Sequence, residues 1–161
     1  MIDVLLFFVP AVATNLLFNV FYESKRKLNL LKYDYPFDCN LSLGNNRLLG
    51  DSTTWGGLII AIIFGLIIIK NFPNSHALEL SLLAFFGHAL GSFIKRRLGK
   101  KRGEYLPIID HGDYMILSSL YFIIAGVVEW KCATVATIVV LIVQPLISYL
   151  AWRVGLRDNK L

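Results

Sequence analysis

Five long apolar runs, about Ile2–Tyr22, Trp55–Ile69, Ala77–Phe93, Tyr114–Val128 and Cys132–Trp152, leave this chain few ways to fold. A bilayer crossing needs about 20 residues, and the shorter second and fourth runs reach that length by borrowing flanking residues. Tight connections pair the runs: KNFPNSH lies between the second and third, and Glu129-Trp130-Lys131 between the fourth and fifth. Pro10 and Pro145 fall inside runs, which membrane helices tolerate. Apolar residues make up 56% of the 161, above the roughly 45–50% of soluble domains. The first run has an acidic rather than a basic start and is long enough to span, so it does not read as a cleavable signal.

The basic residues give the runs a direction. Lys25, Arg26, Lys27, Lys32 and Arg47 follow the first run, Lys95, Arg96, Arg97, Lys100, Lys101 and Arg102 the third, and Arg153, Arg157 and Lys160 the fifth. That places 14 of the 16 Lys and Arg on one side, leaving Lys70 and Lys131 on the other. The positive-inside rule puts both long loops and the C-terminus in the cytoplasm and the N-terminus outside. An odd number of crossings is then required, and five satisfies it. The expectation is a single domain over residues 1–161: an all-α, multi-pass protein of the cell membrane with about five transmembrane helices, its two cytoplasmic loops forming the site. The net charge of +5 sits in blocks between apolar runs. This distribution argues against a nucleic-acid partner and for an anionic lipid surface or a phosphate substrate. Cys39 and Cys132 match no metal spacing and are not expected to pair.

Two cytoplasmic segments hold the polar chemistry. One, Gly87 to Asp113, reads GHALGSFIKRRLGKKRGEYLPIIDHGD. A basic cluster beside a membrane fixes topology and touches anionic lipid, but this does not account for Asp110 and Asp113, three apart before an apolar run. At helical spacing they share a face. Two close carboxylates repel unless a cation lies between them, and Mg²⁺ that also contacts substrate phosphates is the usual choice. The same pair suits a helix N-terminus, and capping is compatible with the metal reading. The other segment, Tyr35 to Gly57, reads YPFDCNLSLGNNRLLGDSTTWGG. Gly44, Gly50, Gly56 and Gly57 admit close backbone approach. Asn45, Asn46, Ser52, Thr53 and Thr54 offer donors, and Arg47 a fork for phosphate oxygens. Neither the Walker pattern nor GxGxxG is present, so on pattern alone a Gly/Asn-rich turn region is the favoured reading.

The remaining notable residues read as packing or anchoring. Trp55, Trp130 and Trp152 lie near run ends, where indole settles at an interface. Gly65, Gly87, Gly91 and Gly126 suit close helix approach. His76 is expected to be solvated in the outer turn, and Glu79 to snorkel to the outer interface.

Over nearly its whole length the chain resembles the CDP-archaeol synthase family of CTP:lipid cytidylyltransferases, relatives of the phosphatidate cytidylyltransferases. Pro36-Phe37-Asp38, Asn45-Asn46-Arg47, Leu49-Gly50 and Thr53-Thr54-Trp55-Gly56-Gly57 follow that family's first loop, and GSFIKRRLG and GEYLPIIDHGD its second. The resemblance implies transfer of CMP from CTP to a lipid phosphate, an archaeol-type unsaturated ether lipid, in phospholipid biosynthesis. It implies Asp110 and Asp113 on Mg²⁺, and Lys95 and Arg96 on the lipid phosphate or departing pyrophosphate. Asp38, Asn46, Arg47 and Thr54 would shape the nucleotide cradle, with Ser92 on a phosphate oxygen. The partners implied are CTP, a lipid phosphate and the membrane, with room for a homo-oligomer. His88 stands where the family has Asp, Thr53 where it has Lys, Gly56 where Arg is frequent and His111 where Gln is usual. His88 and Thr53 motivate an alternative, a non-catalytic homologue that keeps the fold and binds nucleotide or anionic lipid. A carrier or flippase would need charge along a path through the spans, and they show almost none.

Overall fold

A computed structural model describes residues 2–28, 34–44, 46–73, 75–100, 104 and 106–155. Apart from one small hairpin, the fold is helical: α1 (Ile2–Phe7), α2 (Val9–Lys27), α3 (Trp55–Asn71), α4 (Ala77–Arg97), α5 (Pro107–Ile124) and α6 (Trp130–Arg153). The hairpin pairs β1 (Ser42–Leu43) with β2 (Asn46–Arg47), Ser42 opposite Arg47. The first apolar run is therefore two helices. Pro10 has no N–H to return to the Leu6 carbonyl, and the helix breaks at Phe8. The chain resumes with the Ala11 amide on the Phe8 carbonyl at 3.1 Å and Val12 on the same oxygen at 3.2 Å.

Local chemistry sets the other boundaries. Thr54, in extended backbone, caps α3 by accepting from the Gly57 amide at 3.2 Å. α5 begins at Pro107, whose missing N–H costs nothing in a first turn. This start lies seven residues before the apolar pattern does, so Asp110 and Asp113 are helical. Gly126 has a φ of +70° just beyond α5 and bonds the Ile123 carbonyl at 3.0 Å. It serves the turn into α6, not helix packing.

α4 is the central helix, flanked by α2, α3 and α5. Its buried positions are mostly small: Ala77, Ser81, Ala84, Gly87, Ala89, Gly91 and Ser92, with Leu80 and Phe85. Small residues let helices approach where the surroundings are as apolar as the side chains. A methyl on Gly87 would strike the Tyr114 backbone, one on Gly91 the Asp113 side chain, and one on Gly65 the Leu78 Cα at 2.8 Å.

The distribution of polarity is inverted relative to a soluble bundle. Thr14, Asn15, Ser81, Ser118, Ser119, Gln144 and Ser148 are buried, while Ile59, Ile63, Ile67, Ile138, Ile142 and Leu146 are exposed. Contiguous exposed aliphatics of this kind suit a hydrocarbon solvent. α4 and the Trp130–Leu150 part of α6 are long and apolar enough to cross a membrane, and α3 is a shorter apolar helix. α2 and α5 carry polar residues on their buried faces, Thr14 and Asn15 in α2 and Ser118 and Ser119 in α5. Thr14 of α2 donates to Ser81 at 2.9 Å, and Ser119 of α5 pairs with Thr137 of α6 at 2.8 Å.

The ends of the helices sort by charge. At one end meet the C-termini of α2, α4 and α6 and the N-termini of α3 and α5. Lys27 reaches the Gly155 carbonyl at 3.0 Å there, and Lys95 pairs with Asp110. At the other end His76 packs on Phe7 and Phe122, with ring centroids 5.7 and 5.3 Å away. It is thus less solvated than expected, since the last residues of α1 and α5 cover it. Glu79, expected only to snorkel, lies 3.5 Å from the His76 ring nitrogen. Trp55 packs on Phe37, Trp152 on Tyr149, and Trp130 stays exposed at the start of α6. Both cysteines are free.

Candidate functional site

The first loop is built around one carboxylate. Asp38 is buried, and its oxygens accept from the Asn40, Leu49 and Gly50 amides at 3.1, 3.0 and 3.2 Å and from Arg47 at 2.5 Å. Burial raises the carboxyl's pKa, but these donors outweigh it and hold Asp38 below its ordinary 3.8. A carboxylate has about four acceptor directions, and here all four serve the loop. Arg47 also pairs with Asp51, and its own pKa is raised against the opposing effect of burial by these two acids.

The loop is fastened to the basic end of α4. Arg97 donates to the carbonyls of Leu43 at 2.8 Å, Asn46 at 3.2 Å and Arg47 at 2.9 Å. The Asn46 amide returns to the Arg96 carbonyl at 3.3 Å, and buried Thr53 donates to buried Ser92 at 3.3 Å. Arg96 donates to the Lys100 carbonyl at 2.5 Å and passes close over Gly50, where a Cβ would sit 3.1 Å from its Nε. Consecutive helical residues diverge by about 100°. Lys95, Arg96 and Arg97 therefore meet three different partners, and the basic run is not one undifferentiated patch. Sequence reasoning missed Arg97 as a site residue. That divergence within Lys95-Arg96-Arg97 was the available signal.

The start of α5 closes the other side. Asp110 pairs with Lys95 and accepts from the Leu106 amide at 2.7 Å, so it does cap the helix. One turn on, Asp113 lies against Gly91 with an oxygen 3.9 Å from His88 Nδ1. Lysine and two carboxylates thus share the α4–α5 seam. Among the described residues, no three His, Cys, Asp or Glu gather as a metal cage. The donor set still fits Mg²⁺, which commonly takes one or two carboxylates and fills its octahedron with phosphate oxygens and water. The structure brings together Asp38, Asn46, Arg47, Thr54, Ser92, Lys95, Arg96, Asp110 and Asp113 at one end of the bundle. Asn45, Lys32, Lys101, Arg102, Arg157 and Lys160 lie outside the described residues.

A narrow cleft of about 20 Å³, open to solvent, adjoins this seam. Phe18, Phe21 and Phe85 wall it, Lys25 and Asp34 stand at one side, and His88 lines it toward Asp113. Lys25 and Asp34 form an ion pair at 2.6 Å. Burial opposes the charge on Asp34, but bonds from Lys25, Thr54 and the Gly56 amide prevail and keep its pKa low. No motif marked Lys25, Asp34 or the three phenylalanines.

Apolar helices around a polar interior, closed at one end by basic, acidic and glycine-rich loops, define a membrane-type helical protein with a charged end. The chain matches the CarS-like family, described as CDP-archaeol synthase, over residues 68–161. It is 33% identical to the CDP-archaeol synthase of Methanocorpusculum labreanum over 70% of this chain and 81% of that one. It is 29% identical to that of Sulfolobus acidocaldarius over 96% and 94%, and 29% identical to that of Staphylothermus marinus over 75% and 76%. No solved structure is significantly similar. The chain belongs to the CDP-archaeol synthase family.

Proposed function

We propose that the chain transfers CMP from CTP to a lipid phosphate of the archaeol class, giving a CDP-lipid and pyrophosphate. One observation carries the reading beyond family membership: loops distant in sequence converge, through Arg97, Ser92 and Lys95, on the seam that holds Asp110 and Asp113. An oxygen of the lipid phosphate attacks the α-phosphorus of CTP, the bond from that phosphorus to the β-bridging oxygen breaks, and pyrophosphate leaves with the electron pair. Two polyanions must meet, so positioning and charge neutralisation supply most of the acceleration. Lys95 and Arg96 neutralise the lipid phosphate and the departing pyrophosphate. Arg47 and Asn46 face the CTP phosphates, Ser92 donates to a phosphate oxygen, and Asp38 and Thr54 hold the cradle's backbone in shape. Asp110 and Asp113 would hold Mg²⁺, which supplies countercharge to phosphate oxygens when bound. No side-chain nucleophile is needed.

The non-catalytic alternative is not favoured. Thr53, one of the departures that prompted it, is absorbed into the packing through its bond to Ser92. For topology, the reading is five crossings, with α1 and α2 together making the first. The N-terminus lies outside, and the charged end of the bundle lies in the cytoplasm. The gathering of three helix C-termini and two N-termini at that end supports it.

The test uses the purified protein in detergent with α-labelled CTP, Mg²⁺ and a series of lipid phosphates. Label is expected in the organic phase, greatest with unsaturated archaeol phosphate, and reduced at least a hundredfold by Asp113→Asn and by chelation of the metal. Bound CTP with no labelled lipid from any acceptor would overturn the proposal.

A further inference from the structure

Nothing in the proposed reaction uses Tyr114, yet it is the largest of the fully buried side chains described. With no exposed surface, its phenol does not reach a substrate. The hydroxyl donates to Gln144 Oε1 of α6 at 3.4 Å and takes a bond from the Asn15 side chain of α2. Gln144 and Asn15 are themselves only 2% and 5% exposed. One phenol on α5 thus joins three helices through groups held away from bulk solvent, where a lost partner is costly.

α5 needs such a fastening because of how it meets α4. Gly87 and Gly91, one turn apart, form a groove for it. A Cβ on Gly87 would sit 2.4 Å from Tyr114 Cα, and one on Gly91 3.0 Å from Asp113 Cβ. Two glycines admit the backbone of α5 but offer no side chain to key its rotation. That rotation decides where Asp113 points. Consecutive helical side chains diverge by about 100°. With the phenol held between α2 and α6, Asp113 faces Gly91 and lies 3.9 Å from His88 Nδ1. The Tyr114 amide also donates to Asp113 Oδ1 at 2.7 Å, so the carboxyl is tied to the residue whose ring is pinned.

We infer that Tyr114 is a positioning residue: its hydroxyl, held between Asn15 and Gln144, sets the rotation of α5 that presents Asp113 to the α4 seam. The consequence for turnover rests on the proposed role of Asp113.

The experiment separates position from stability in the full-length protein in detergent. Tyr114→Phe keeps the ring and removes the hydroxyl, which leaves two buried amides short of a partner and lowers the melting temperature. Adding Asn15→Leu and Gln144→Met removes those amides as well. Replacing all partners by apolar groups of similar shape is nearly neutral, so this triple variant is expected to recover the wild-type melting temperature. The rotation is read by Gly91→Cys with Asp113→Cys, in a Cys39→Ser and Cys132→Ser background. The two Cβ positions are 3.0 Å apart, within a small relaxation of the roughly 3.8 Å that a disulfide takes. Oxidation to the cross-link is expected to be at least tenfold slower with the triple substitution present. In the chain that keeps Asp113, the triple substitution is expected to lower kcat at least tenfold with KM for the lipid phosphate unchanged, since a misplacement of about 1 Å is enough to slow a reaction about a hundredfold. A triple variant that melts and cross-links like the wild type overturns the inference. Tyr114→Phe alone, which keeps every other side chain, is read by the same cross-link, and an unslowed rate there overturns it too. Slowed cross-linking beside an undiminished kcat upholds the positioning of α5 and sinks only the proposed role of Asp113.

Discussion

Two aspartates four residues apart illustrate how differently one residue type can be used. Asp38 has every acceptor direction committed to its own loop, and Asp34 ties the end of α2 to the start of α3 through Lys25 and the Gly56 amide. Asp38 also holds a turn in which Cys39 and Asn40 both adopt positive φ, 50° and 65°, a backbone that non-glycine residues avoid. Its bond to the Asn40 amide opposes that cost. Asp38→Asn puts an NH₂ group where an oxygen accepted, and is expected to destabilise the loop by roughly 2 kcal/mol. The pH dependence follows from the sign. A carboxyl held below 3.8 when folded gives a stabilisation that is complete above about pH 4, and that is lost as the pH falls through the lowered value. Thermal melts read by Trp55, which packs on Phe37 beside this turn, should therefore show a steep acid decline in the wild type and a shallower one in Asp38→Asn. Parallel declines would assign the acid sensitivity elsewhere. The P-x-D pattern singled out Asp38, but as part of a nucleotide cradle. Its partners are backbone amides aimed by a left-handed turn, and such a turn has no signature in Asp-Cys-Asn.

Elements were more legible than residues, because a hydrophobic run records which way a helix faces. All five runs are helical over most of their length, and α3 and α4 begin where the apolar pattern does. The misses fall where polar residues belong to a helix. α5 starts at Pro107 because Pro and a capping acid suit a first turn whatever the polarity of the residues that follow. α1 and α2 separate at Phe8 through the missing Pro10 donor. The join between the hairpin and α4 could not be read at all, since Arg97 meets carbonyls about fifty residues away. Three bonds from one guanidinium hold β1 and β2 together, and Lys offers no planar fork for such a task. Arg97→Ala is expected to speed amide exchange across residues 41–48 at least tenfold while leaving exchange in α4 and α5 unchanged. KM for CTP should rise more than kcat falls, because the cradle loosens while the α4–α5 seam stays in place. Arg97→Lys should recover only part of either effect. Equal protection of the hairpin in the wild type and Arg97→Ala would show that the loop docks without this residue.

At the scale of the whole molecule, the five proposed crossings and the charged end stand or fall together. A soluble bundle would hide its isoleucines and show its serines; this one does the reverse, so its solvent is hydrocarbon along the sides and water at the ends. In the proposed topology the charge asymmetry orients it, and the chain carries its own reporters. Cys39 is exposed on the first loop at the basic end. Cys132 is only partly exposed and lies in the first turn of α6, at the opposite end. With Cys132→Ser as the background, a membrane-impermeant maleimide should label Cys39 in inside-out vesicles and spare it in intact cells or right-side-out vesicles. With Cys39→Ser, any labelling of Cys132 should show the opposite preference. Cys39 labelled from outside would invert the bundle and remove the site from cytoplasmic CTP, and Cys39 and Cys132 labelled from the same side would require an even number of crossings between them. Three helices separate the two residues if α3, α4 and α5 each cross. Opposite labelling therefore fixes an odd number of crossings between the two cysteines as well as testing direction, and it does not depend on which lipid the enzyme uses.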